Sequence, residues 1–312
     1  MKKILLFLLI GIFSINISAQ NKKSVKKAPN GYIRCLSTEH EKKLQEKFKR
    51  ASIGEFETWM SNESLKLRIN SANRVSASPV RTIPVVVHVI NRGEAVGTGT
   101  NISNAQVISQ ITTLNNDYRK KSGTSGYNTN PVGADANIEF ALAVRDPNGN
   151  PTNGIDRISY DKEFWQEADV ENDLKPNTIW DPTKYFNLWV VNFGGDLDGV
   201  LGYAQFPVGS TLDGLDETGL ASTDGVIIGY KFFGNLDYND GSFNLDSTYG
   251  YGRTATHEIG HWLGLRHIWG DATCGEDYVA DTPVHEHSNY GCFTHPKSNA
   301  CGTADEMFEN YM

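Results

Sequence analysis

Apolar and polar positions along the 312 residues change period from one stretch to the next, and each period predicts an element. Residues 4–15 (ILLFLLIGIFSI) are almost uninterruptedly apolar, but these 12 residues fall short of the roughly 20 a bilayer-spanning helix needs. Met1-Lys2-Lys3 precedes them and Asn16-Ile17-Ser18-Ala19 follows, the charged start and small-residue end of a secretory signal peptide, with cleavage expected after Ala19. Thr38-Glu39-His40-Glu41 reads as a capping box opening a helix that runs to about Met60, with Leu44, Phe48 and Phe56 for packing. Residues 71–84 (SANRVSASPVRTIP) are small and polar and carry Arg74 and Arg81, as a linker open to trypsin-like cleavage would; on composition alone an ordinary surface loop fits equally well.

From there the periods are those of an α/β body. Residues 83–91 (IPVVVHVIN) form a continuous β-branched run, the mark of a strand buried on both faces. Ser103 with Gln106 predicts a second capping box, after which Val107, Ile108, Ile111, Leu114 and Tyr118 recur at helical spacing. Further strands are expected at 138–144, 186–193, 201–206 and 225–232, separated by turns rich in Gly, Asn and Asp. The sum is a mixed five-stranded sheet with a backing helix, with no internal repeat.

Charge divides the chain. Residues 20–81 carry 14 Lys/Arg against 6 Asp/Glu, a net +8, whereas residues 82–312 carry −18 within a chain of −8. A basic front and an acidic body attract each other. The acidic body excludes nucleic acid as the partner, because phosphate binding takes clustered Lys/Arg, and the single short apolar run excludes a polytopic membrane protein.

The chemistry is concentrated in residues 252–267 (GRTATHEIGHWLGLRH). In a helix, positions i and i+4 share a face, so His257 and His261 present two imidazoles to one metal ion. Glu258 is one residue round, out of the metal's reach but beside a water at its open position, where a carboxylate takes the proton as water attacks a carbonyl. Gly264 can adopt positive φ and turn the chain so that His267 arrives as a third ligand. Three protein ligands and one open position describe a catalytic zinc site.

The pattern HExxHxxGxxH resembles the metzincin clan of zinc endopeptidases. The surrounding GRTATHEIGHWLGLRHIWGD, the Asp281-Thr282-Pro283 that follows and Glu309-Asn310-Tyr311-Met312 are similar to the pappalysin family within it, from about Ile83 to the last residue. The resemblance implies a metzincin-like α/β (α+β) fold: a twisted mixed five-stranded sheet, a backing helix, an active-site helix and a small irregular C-terminal subdomain. It implies a signal peptide at 1–19, a pro-segment with activation linker at 20–81 and a zinc metalloprotease domain at 82–312. Met312 matches the methionine of the tight turn that floors the metal. The family continues past that turn, so the catalytic domain is expected to be incomplete at its C-terminus.

Four cysteines allow three pairings. The resemblance implies a disulfide between Cys274 and Cys301, and one from Cys292 to a cysteine beyond residue 312. It also implies that Cys35, after Arg34, keeps the zymogen latent by placing its thiolate on the open zinc position; a free Cys35, or one paired with Cys292, is the alternative. Asp277, Asp281 and Thr282 offer hard oxygen ligands for a structural calcium ion, against a merely solvated acidic loop. His88 reads as a hydrogen-bonded sheet residue, and His285, His287 and His295 as surface residues. The expected function is a secreted zinc endopeptidase made as a latent zymogen. Zinc is its cofactor, protein or peptide substrates lie along an edge strand near 201–206, and its own pro-segment is a partner. A zinc-binding secreted module with impaired catalysis is the alternative, and the retained Glu258 speaks against it. A sugar- or matrix-binding module finds no motif here.

Overall fold

The computed structural model describes residues 27–48, 50–71, 79–207 and 218–312; the expected signal peptide and residues 72–78 of the expected linker lie outside them.

The first departure from expectation is in the basic front. In place of one helix to about Met60 there are two, α1 (Ser37–Phe48) and α2 (Ile53–Ser71). The capping box is at Ser52, not Thr38: Ser52 N and Oγ donate to Glu55 Oε2 at 2.8 and 2.7 Å, and Glu55 N donates back to Ser52 Oγ. Thr38 and Glu41 are drawn elsewhere. Thr38 Oγ1 donates to Asp271, and Glu41 accepts from Arg50, a buried pair that holds the chain between the helices.

The body is a six-stranded mixed sheet with the expected backing helix, α3 (Asn104–Tyr118). Its strands are β1 (Arg81–Asn91), β2 (Ile138–Leu142), β3 (Ile155–Ser159), β4 (Phe186–Val191), β5 (Gly202–Ala204) and β6 (Val226–Gly229). The spatial order is β2-β1-β4-β6-β5, with β3 also on β1. All pairings are parallel except β5 with β6. β2 pairs with the first half of β1 and β3 with the second, so both lie on one side of it. β3 (IDRIS) is the strand the pattern missed, since two isoleucines among three polar residues give no apolar run. Between β3 and β4 runs a helical stretch: α4 (Glu167–Asp169), a π-turn at Val170–Leu174 and α5 (Lys175–Thr178). The active-site helix is α6 (Arg253–Trp262).

Alternation along the central strands divides the core into two faces. Val85, Val87 and Val89 of β1, Leu188 and Val190 of β4 and Ile228 of β6 pack with Val107, Ile111 and Leu114 of α3 and with Ala255 and Ile259 of α6. On the other face Trp189, Tyr203 and Ile227 pack with Trp165, Val170 and Leu174, and with Ile33 and Leu36 of the front segment. Ser103 does cap α3, its Oγ accepting from Gln106 N at 3.1 Å. The Gln106 side chain instead donates to the Tyr230 and Phe233 carbonyls, pinning α3 to the chain after β6. His88 is buried between Asp156 and Asn187, 3.0 Å from each, as a sheet residue should be.

Beyond α6 the chain is irregular, as expected, and is closed by the Cys274–Cys301 disulfide, while Cys292 is exposed and free. Here the expectation for His285 fails. It is fully buried, its Nε2 accepting from Met307 N at 3.0 Å, because the polar loop around it folds over a small polar core centred on Glu306. His287 and His295 are exposed as expected.

Candidate active site

α6 begins after Gly252 and places His257 and His261 one turn apart on one face. Gly264, at φ +100°, then reverses the chain, a conformation any side chain would strain, and His267 returns to the same point. The three Nε2 atoms form a nearly equilateral triangle with edges of 3.2, 3.2 and 3.3 Å.

Each Nδ1 faces an acceptor: the Tyr311 carbonyl for His257, the Leu265 carbonyl at 2.8 Å for His261 and Asp271 Oδ1 at 2.6 Å for His267. The protons therefore sit on Nδ1, and three bare Nε2 lone pairs converge. Burial, then the charge of His267, lowers His257 to about 3 and His261 well below the ordinary histidine range, so protons do not fill the gap between them. Three mutually repelling lone pairs call for a cation. A tetrahedral zinc ion at about 2.05 Å from each nitrogen requires edges of about 3.3 Å, so zinc fits the donor set.

Cys35 Sγ joins this cluster: the four donor atoms of Cys35, His257, His261 and His267 all lie within 4.8 Å of one another. Arg34 anchors that stretch of chain, donating to the Asn289 carbonyl at 2.7 Å and lying over the Tyr290 ring. Glu258 is fully buried beside the cluster. Its Oε2 accepts from Ser37 Oγ at 2.6 Å and from Cys35 Sγ at 3.4 Å, while its Oε1 has no hydrogen-bond partner. Burial pushes Glu258 up to about 8 and the Cys35 thiol well above its ordinary value, the Glu258 charge adding to the latter. A nearby metal cation supplies the opposite field, favouring thiolate and carboxylate.

Met312 is buried against α6, its Sδ 2.4 Å from where a Cβ on Gly260 would stand, so a side chain at 260 would displace the methionine. The front segment also covers the edge of the sheet. Ile33 N donates to Gly199 O, Leu201 N to Ile33 O, Leu36 N to Gly202 O and Ala204 N to Ser37 Oγ. Between this segment and the C-terminal loops a cleft of about 450 Å³ opens beside His257 and His267, with Lys42 and Trp269 in its wall. Asp277 is buried and accepts from Thr282 Oγ1 and Val279 N, whereas Asp281 is exposed.

Sequence reasoning missed Ser37, which touches both Glu258 and the edge strand, and Asp271, which orients His267. Asp271 carried a faint signal, standing four residues after the third histidine. Ser37 carried none.

The family model described as pregnancy-associated plasma protein-A matches residues 168–312. An extracellular metalloprotease of Colletotrichum graminicola is 31% identical over 258 residues, spanning 79% of this chain and 76% of the relative. The chain belongs to the pappalysin family of metalloproteases. Among solved structures, this pappalysin is similar to mature mirolysin of Tannerella forsythia in complex with a cleaved peptide, at 43% identity and a TM-score of 0.62, over 76% of this chain and 84% of that one. It is also similar to a promirolysin mutant from the same organism, at 40% identity and a TM-score of 0.65, over 86% of this chain and 83% of that one. The pappalysin described here is thus an extracellular metalloendopeptidase with the metzincin fold its zinc-site pattern implied.

Proposed function

We infer that this pappalysin is a zinc endopeptidase held latent by its own residues 20–81, with Cys35 on the fourth zinc position and residues 82–312 as the catalytic domain. The observation that carries the reading is the convergence of the Cys35 thiol on three bare imidazole nitrogens. The match to promirolysin supports it, since it spans 86% of this chain where the mature form spans 76%.

His257, His261 and His267 would hold the zinc ion, which when bound polarises the scissile carbonyl and acidifies water. The chain's own residues do the rest. Glu258, freed of Ser37 and Cys35, accepts the proton of the attacking water and passes it to the departing amine nitrogen, completing hydrolysis of the C–N bond. The edge of β5 orients the substrate. Gly199 O, Leu201 N, Gly202 O and Ala204 N, now engaged by residues 33–37, are the backbone groups an extended peptide would take. Met312 supplies an apolar floor. The segment leaves after cleavage of the linker between 71 and 84. A structural calcium ion at Asp277, Asp281 and Thr282 belongs to the same reading, supported by the run of oxygen donors there.

The test compares peptide hydrolysis and zinc content of the full chain before and after linker cleavage. The uncleaved chain should bind zinc and be inactive, and the cleaved chain active. Glu258→Ala should keep its zinc and lose about 10²–10⁴-fold in kcat; near-normal cleavage by that variant sinks the mechanism.

A further inference from the structure

The turn that delivers His267 carries a buried cation that the mechanism does not use. Arg266 is 8% exposed, and its guanidinium stands 4.0 Å over the centre of the Phe206 ring and 5.4 Å from that of Phe56. Its Nε donates to Glu57 Oε1 at 2.8 Å. Arg266 and Phe206 belong to the body, whereas Phe56 and Glu57 belong to α2 of the front segment. α2 closes over the same turn. A Cβ on Gly264 would stand 3.6 Å from Met60 Cε, 3.7 Å from Phe56 and 3.7 Å from Pro207, so helix and body meet there in ordinary contact.

Charge in this recess is arranged around the guanidinium. Burial raises the Glu57 carboxyl and the Asp277 charge adds to the rise, while the hydrogen bond and charge of Arg266 pull the other way. Against those two effects, Arg266 is what holds a carboxylate here. A guanidinium presents a planar fork of donors that matches a carboxylate, and a covered one left without its partner is costly. The Phe206 ring beneath it fixes the fork in place from the body's side.

The recess lies at the end of the edge over which the substrate would run. Contacts of the front segment follow that edge from Ile33 at Gly199 to Arg50, whose Nη2 donates to Pro207 O at 3.5 Å. Phe206 follows the end of β5, and its ring is 5.4 Å from the ring of the zinc-site residue His261. At about 3.3 Å per residue, an extended peptide lying on 199–204 reaches Phe206 with one or two residues more. When residues 20–81 leave, α2 takes Phe56 and Glu57 away from Arg266, which stays with the body. We propose that Arg266 forms a substrate subsite for an acidic side chain, Asp or Glu, and that Glu57 stands in for that side chain in the latent chain. The proposal rests on the reading that the front segment is shed and the peptide lies along β5.

The experiment uses the full chain after linker cleavage, with the activating protease removed, and a quenched fluorescent peptide library carrying Glu, Ala or Lys at one position at a time on both sides of the cleaved bond. Wild type should prefer Glu over Ala at one position. Arg266→Gln should reduce kcat/KM on that Glu peptide by about tenfold and leave the Ala peptide unchanged. Arg266→Glu should turn the preference at that same position from Glu to Lys, which a loss of folding or of zinc would not do. The subsite is overturned if wild type prefers Glu at no position, if the preference survives both Arg266 variants, or if the Glu and Ala peptides lose equally. Failure of the cleaved wild type to hydrolyse any peptide overturns the proposed function along with it; hydrolysis without an Arg266-dependent preference overturns the subsite alone.

Discussion

Ser37→Ala should release the latent enzyme without touching the cysteine. Ser37 is fully buried, and its hydroxyl donates to Glu258 Oε2 at 2.6 Å while accepting from Ala204 N at 2.8 Å. A hydrogen bond to a carboxylate contributes about 1.5–3 kcal/mol and a neutral one about 1 kcal/mol. Alanine removes both and leaves the Ala204 amide unpaired while the segment stays docked. The closed state therefore loses about 3 kcal/mol, roughly 150-fold in the equilibrium between docked and undocked segment. While the closed form dominates, peptide hydrolysis by the uncleaved chain is proportional to the open fraction, so its basal rate should rise by the same factor, roughly 150-fold. After linker cleavage the variant should match wild type, because residue 37 has gone with the segment. The assay is initial-rate hydrolysis of a quenched peptide by uncleaved and cleaved protein, with intact mass checked at the end of each run. A basal rate within about twofold of wild type would show that Ser37 contributes nothing to closure.

Three other expectations follow from the same structure. Asp271→Ala leaves His267 without the acceptor 2.6 Å from its Nδ1 and should weaken zinc binding about 10–100-fold, measured by competition with a chromogenic chelator; unchanged affinity would refute the orienting role. Burial would raise the Glu306 carboxyl, but Lys297, Asn299, the Glu286 amide and Asn289 outweigh it and draw it down to about 2 from 4.5. Because its folded value is the lower one, its contribution is complete above about pH 4.5 and fades toward pH 2. Glu306→Gln should therefore melt below wild type at neutral pH, with the two curves converging in acid; a gap independent of pH would contradict this. Calcium removal by a chelator mild enough to spare zinc should lower the melting temperature through residues 271–283, and an unchanged value would assign that loop to solvated carboxylates.

Some elements were legible because their physics is local. The run at 83–91 reads as a strand buried on both faces, and β1 is buried from Val85 to Asn91 with β2 and β3 on one side of it and β4 on the other. The histidines at 257, 261 and 267 could be read as one site because helix periodicity and a positive-φ glycine fix their directions within eleven residues. Cys274 and Cys301 were paired by family resemblance, and the structure joins them. What failed did so where a distant partner outbid a local motif. Thr38 and Glu41 have the spacing of a cap, but Asp271 and Arg50 claim their side chains. β3 carries no apolar run because its place is decided by the open edge of β1. His285 looks like a loop residue until the Met307 amide comes down on its ring.

By itself, then, the sequence determined the reaction class, since metal ligation and proton transfer need particular atoms at spacings that a single helix and turn supply. Only the tertiary structure decided what lies against those atoms. The meeting of Cys35 and Ser37 with Glu258 spans more than 220 residues, and so depends on how β5 is edged and where α1 docks. Contacts of that kind leave no periodic trace along the chain, because either partner alone is an ordinary polar residue and its role exists only once the fold has closed the distance.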